Sequence, residues 1–227
     1  MKKPGACQTA SVLEPYIYEE DNWVDDMELG AMELYQSTGD KKYLDQAVEY
    51  GRREPVSPWM GADSARHYQW YPFMNMGHYH ITKVEGNKRL NNEFLRNMRA
   101  GIQRTFEKAE QSPFMHGIPY IWCSNNLTTA MLTQCRLYRE TTGDEMYAEM
   151  EAAMRDWLFG CNPWGTSMIV ELPKTGDYPL IPHSSYLRAG VGTTTGGLVD
   201  GPVYSTIFNT LSGVNMTGIP NTPGQDY

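Results

Sequence analysis

Three stretches of the chain repeat one pattern of apolar and polar positions. Residues 27–47 (MELGAMELYQSTGDKKYLDQA), 79–94 (YHITKVEGNKRLNNEF) and 135–154 (CRLYRETTGDEMYAEMEAAM) each carry an amphipathic run that stops at a glycine. A polar residue follows at once (Gly39-Asp40, Gly86-Asn87, Gly143-Asp144), and a second amphipathic run begins. Glycine takes the left-handed conformation that ends a helix, and Asp or Asn caps the next one. Each stretch therefore predicts a helix–tight turn–helix hairpin. The apolar spacing predicts helices at roughly 24–38, 41–53, 64–84, 88–109, 124–142 and 145–159. Met27, Ala31, Leu34 and Tyr35, then Leu127, Ala130, Met131 and Leu137, fall on the expected inward faces. The turn glycines lie 47 and 57 residues apart (86 − 39 and 143 − 86). Such a period predicts an all-α array of hairpins burying their faces against neighbours, longer than the ~34-residue tetratricopeptide repeat.

The pattern changes after Gly160. Residues 161–227 hold 10 of the 21 glycines and 7 of the 14 prolines, so long helices cannot continue there. One short helix is expected at 202–211, and the rest as loop of the kind that forms a binding rim. The reading is one domain over 1–227, with hairpins at 1–160 and a loop-rich rim at 161–227.

Charge and composition narrow the partners. With 27 acidic and 19 basic side chains the net charge is −8, which disfavours nucleic acid or an anionic membrane surface. No run of about 18 apolar residues is present to span a bilayer, and no apolar signal core follows Met1. Cys7, Cys123, Cys135 and Cys161 have no metal-ligand spacing and read as buried or half-buried thiols. The five histidines form no H-E-x-x-H pair, and His78 and His80, two apart on a helix, face different ways. No nucleophile elbow, phosphate loop or dinucleotide fingerprint appears, and neither a metal nor a cofactor is expected.

What remains is aromatic. The chain has 15 Tyr and 6 Trp. Many sit in the segments that precede the hairpins: Pro15–Asp26, Pro58–Tyr71 and Phe114–Asn126. These loops should open on one end of the array. Trp and Tyr beside Asp, Asn and His suit sugars, whose C–H faces stack on rings and whose hydroxyls need polar partners. Asp25, Asp26 and Glu28 are the densest carboxylate cluster. Acids at a helix start complement its dipole, and neighbours Asp25 and Asp26 diverge by about 100°, too far to flank one bond together.

In order along the chain, Tyr18-Glu19-Glu20-Asp21-Asn22-Trp23-Val24-Asp25-Asp26-Met27, Pro58-Trp59-Met60-Gly61, Ala65-Arg66-His67-Tyr68-Gln69-Trp70-Tyr71, Gly160-Cys161-Asn162-Pro163-Trp164-Gly165-Thr166-Ser167, Pro182-His183 and Gly197–Tyr204 resemble motifs of glycoside hydrolase family 9. The resemblance runs over nearly the whole chain. It implies a partial (α/α)6 toroid of helical hairpins with long aromatic-rich loops, and inverting hydrolysis of β-1,4-glucans. An Asp base and a Glu acid carry that reaction. The family's Asp-Ala-Gly-Asp segment does not occur here, and no Asn-Glu pair follows Asn92-Glu93, which lies mid-helix. No catalytic residue is therefore assigned. The expectation is an internal fragment with about six of twelve helices, inactive alone, whose partners are a β-glucan or cello-oligosaccharide and the remainder of the catalytic domain. The resemblance further implies a secreted or periplasmic parent. It carries over substrate contacts to His183, Trp122, Trp59, Asp63, Trp23 and Tyr18. Ser184 and Ser185 stand where the family has a second His and an Arg, and Asn126 where an Arg often follows the matched Trp. A non-catalytic carbohydrate-binding module and a helical-repeat scaffold are the alternatives.

Overall fold

The computed structural model describes residues 7–8, 19–20, 23–62, 76–121, 123–180 and 194–205. The described helices are α1 (Val24–Thr38), α2 (Lys41–Arg53), α3 (Met76–Thr82), α4 (Lys88–Ala109), α5 (Ser124–Thr142) and α6 (Ala148–Leu158). A two-residue antiparallel pair, β1 (Cys7–Gln8) and β2 (Glu19–Glu20), sets Cys7 opposite Glu20. Helices α1 and α2, α3 and α4, and α5 and α6 pack as hairpins, with α1 also against α3 and α4 against α5.

All three turns use the local chemistry expected of them. Gly39, Gly86 and Gly143 have φ of 70°, 76° and 73°. Asp40, Asn87 and Asp144 accept the N–H of Lys42, Leu90 and Met146 on their side chains at 3.0, 3.1 and 3.0 Å. The first and third turns share a further device. The hydroxyls of Thr38 and Thr142 donate back to Leu34 and Tyr138, and accept from the N–H of Asp40 and Asp144. Helix α6 starts at Ala148 rather than 145, because the Asp144 cap is followed by a turn in which the Ala148 N–H donates to the Glu145 carbonyl. Of the helix expected at 64–84, residues 76–82 are helical, whereas 63–75 lie outside the described residues, as does most of 202–211.

Long α4 is a shared wall. Its first half sends Leu90 and Phe94 into a core with α1, α2 and α3 (Met32, Leu44, Ala47, Ile81). Its second half sends Met98 and Ile102 into a core with α5 and α6 (Met131, Met150, Met154). A smaller cluster joins Trp157 and Leu158 of α6 to Met168, Val170 and Val199 of the loop-rich region. Two expectations are corrected. Leu34 is 47% exposed, because it lies two residues, or about 200°, beyond the buried Met32 on α1. Cys161 is exposed, while Cys123 and Cys135 are buried as expected.

Candidate ligand-binding end of the helical array

Since the hairpins are antiparallel, their glycine turns lie at one end. The starts of α1, α3 and α5 and the ends of α2, α4 and α6 lie at the other. At this second end the loop after α2 meets the end of α4, and the loop before α5 meets the loop-rich region that follows α6. The Lys108 ammonium donates to the Ala62 carbonyl, and Tyr204 donates its N–H to the Tyr120 carbonyl at 2.8 Å.

The start of α1 separates its three acids. Glu28 turns inward and is buried against His78, with Nδ1 at 2.7 and 2.9 Å from its two oxygens. His78 Nε2 meets the Pro55 carbonyl at 3.2 Å, tying the loop after α2 to α3. His80 points elsewhere, 3.5 Å from Glu33. Asp25 stays at the loop end, where burial first, then the charges of Asp26 and Glu54, push its carboxyl up from 3.8 to about 7. The native state thus holds a proton that the unfolded chain releases. Asp25 costs nothing below about pH 4 and destabilises increasingly as pH rises to about 7. Asp25→Asn is expected to be more stable than the parent at pH 8 by on the order of 1–2 kcal/mol, after allowing for solvent screening. The gap should close at pH 4, as urea denaturation at the two pH values will measure. Equal offsets at both would contradict it.

The third loop and the loop-rich region meet in an aromatic cluster. His116 stacks on Trp157 (centroids 4.2 Å apart, 16° between planes) and on Tyr120 (5.5 Å, 22°). Burial, then Lys108, pushes His116 down to about 3, so the ring is neutral. Its Nε2 lies 3.0 Å from the Thr128 hydroxyl. Above this layer Tyr120 meets Trp164 edgewise at 6.3 Å and Tyr204 at 5.4 Å.

Two local devices hold these outer rings. Asn162 ties its turn three ways, donating to the carbonyls of Trp157 (2.9 Å) and Thr166 (2.7 Å) and accepting from the Trp164 N–H (3.1 Å). This is the physical content of the G-x-N-P-x-x-x-S resemblance: the Asn builds a turn that turns Trp164 outward. The start of α5 clamps the segment before Tyr204. Asn125 donates from its side chain to the Val199 carbonyl (2.8 Å) and from its backbone to the Asp200 carbonyl (3.0 Å). Ser124 donates to the Pro202 carbonyl (2.8 Å). Gly201 has φ 96°, and a Cβ there would lie 2.5 Å from Asn125 Cγ.

Of the expected substrate contacts, Trp23 lies at this end, partly exposed, with the Arg53 guanidinium 5.0 Å over its ring and Tyr50 edgewise at 6.1 Å. Trp59 is fully buried among Met60, Met98 and Ile102, a core position in place of the expected rim position. The apolar side chains of α4 and α5 leave its indole no open face. Tyr18, Asp63, Trp122 and His183 lie outside the described residues. Trp164 and Tyr204 lie within the quoted motifs and Tyr120 within the aromatic segment Phe114–Asn126, but nothing in their local spacing brings positions 120, 164 and 204 together. Among the described residues no group of three or more His, Cys, Asp or Glu could hold a metal ion, and no helix is long and apolar enough to cross a membrane.

Comparison with known proteins fits this architecture. The family model for Glycosyl hydrolase family 9 matches residues 2–217. No curated protein matches. A Bacteroides ovatus GH9 structure is similar over 86% of this chain and 36% of its own, with 19% identity and a TM-score of 0.66. A thermostable endoglucanase from Alicyclobacillus acidocaldarius is similar over 92% of this chain and 40% of its own (18% identity, TM-score 0.68). AaCel9A in complex with cellobiose-like isofagomine is similar over 92% and 38% (17% identity, TM-score 0.67). The chain thus spans well under half the length of these structures, and its fold is a partial (α/α)6 toroid. It belongs to glycosyl hydrolase family 9.

Proposed function

We propose that these residues form part of the substrate-binding wall of an inverting hydrolase of β-1,4-glucan. The hairpins of 1–160 build the wall and 161–227 its rim. The observation that carries this reading is the family match over residues 2–217; the aromatic, loop-lined end of the array supports it. The general base and general acid come from segments outside these 227 residues, since the sequence holds neither the Asp-Ala-Gly-Asp segment nor a late Asn-Glu pair. Asp63, His183, Trp122, Trp23 and Tyr18 supply polar and stacking contacts to sugar, with Trp59 bracing the wall from beneath. A polymeric substrate is met outside the cytoplasm, so export belongs to the same reading.

Two measurements on the purified 227-residue chain test it. It is expected to bind cellohexaose by calorimetry, and to release no reducing sugar from carboxymethylcellulose until segments carrying the missing carboxylates are supplied. Hydrolysis by the chain alone would locate acid and base within it and overturn that part of the reading. Absence of cello-oligosaccharide binding would favour the helical scaffold.

A further inference from the structure

Trp164 and Tyr204 are large aromatic side chains that remain 53% and 39% exposed, yet both are held with more care than a surface ring requires. Three separate parts of the chain converge on them: the turn after α6, the loop before α5 and the segment after Leu198. Asn162 fixes the backbone under Trp164. Tyr204 is fixed by its own N–H on Tyr120, and by the Ser124 and Asn125 bonds to the residues just before it. Trp157 meets Trp164 edgewise from below, at 6.2 Å and 86°.

We propose that Trp164, Tyr120 and Tyr204 form a sugar-stacking ledge, a binding site for pyranose units of a β-linked glucan in addition to the contacts expected at Trp122 and His183. The proposal rests on the glucan reading above and names further residues that execute it. None of the contacts between the three outer rings is a face-to-face stack: Trp164 and Tyr204 meet Tyr120 at 65° and 60°. Two exposed rings, each held at an angle to the same third ring, make a ledge for the C–H face of a sugar. The surroundings suit a neutral polyhydroxyl ligand better than an ion. Two phenol hydroxyls and an indole N–H border the ledge, and Thr166, two residues from Trp164, holds the exposed Asp177 carboxylate at 2.7 Å. Each can exchange hydrogen bonds with sugar hydroxyls.

The test uses the full natural polypeptide that contains these residues, with Trp164→Ala, Trp164→Phe and Tyr204→Ala compared with the parent. Cellohexaose affinity is measured by calorimetry and fold by urea denaturation. Trp164→Ala is expected to weaken binding about tenfold, the scale of one lost stacking contact. Trp164→Phe should recover most of it, and the unfolding midpoint should stay within error of the parent. Tyr204→Ala, whose backbone anchors remain, should weaken binding in the same direction and serves if Trp164→Ala does not fold. Parent-like affinity in Tyr204→Ala and in any folded Trp164 variant would overturn the ledge while leaving the glucan reading standing. A lowered midpoint with parent-like affinity would mean that the rings pack against other protein, and would overturn it too. A parent that binds no cello-oligosaccharide would instead bring down the reading on which the ledge rests.

Discussion

Glu28→Ala is expected to lower the unfolding free energy by about 3–5 kcal/mol, the cost of leaving one member of a buried ion pair without its partner. Glu28 and His78 are 2% and 1% exposed. Both ring nitrogens lie within hydrogen-bond distance of an oxygen, of the Glu28 carboxylate and of the Pro55 carbonyl. Removing the carboxylate strands that ring in a space built around the pair. Phe94 meets His78 edgewise at 4.8 Å, and two glycines leave the carboxylate its room. A Cβ on Gly51 would lie 2.7 Å from Glu28 Oε1, and one on Gly77 2.7 Å from its Cδ. His78→Ala should cost a similar amount. The double variant should cost less than the sum, because the two single changes break one interaction. Urea denaturation of the three variants checks this. Additive losses, or a single loss below about 1 kcal/mol as in an exposed pair, would show that the pair is not the joint it is taken to be. The effect bears on the ligand-binding end because this joint connects α1, α3 and the loop that leads to Trp59.

Gly117→Ala is expected to destabilise by about 3 kcal/mol, at the upper end of overpacking costs. A Cβ at this position would stand 2.3 Å from the Thr105 carbonyl oxygen, 3.0 Å from Thr105 Cγ2 and 3.1 Å from the Ala109 nitrogen. Two of those three atoms are backbone of α4 and cannot rotate away, unlike the flexible Met60 side chain that crowds Gly101. The loop must lift off α4, carrying His116 and Tyr120 with it. The variant should therefore lose cellohexaose affinity as well as stability, whereas Trp164→Ala should lose affinity alone. Chemical denaturation and calorimetry on the two variants separate these outcomes. A Gly117→Ala protein of parental stability would mean that the loop does not lie as closely on α4 as described.

The hairpins were legible because their determinants are local. A glycine at left-handed φ and an Asp or Asn cap act over a few residues, and the same three-residue chemistry occurs at 38–40 and 142–144. The bounds of α1, α2, α4 and α5 coincide with those expected from apolar spacing. Where the pattern misled, the reason was equally physical. Leu34 satisfies a spacing count but lies on the wrong side of α1, and Trp59 reads as a loop aromatic although α4 and α5 enclose it. The acidic run at 25–28 looked like one feature. Its members in fact have different roles: Asp25 has its carboxyl pushed up to about 7 by burial, Asp26 is exposed, and Glu28 is paired with a histidine 50 residues away.

By itself, then, the sequence determined an all-α chain of hairpins, an aromatic-rich loop end and, through ordered motifs, its family. Those properties follow from interactions between residues a few positions apart or from motifs read in order. Only the tertiary structure decided which polar groups meet inside, as Glu28 and His78 do. It alone brought Tyr120, Trp164 and Tyr204 into one ledge. Contacts between distant positions depend on how helix faces and loops pack, and no periodicity along the chain records that packing.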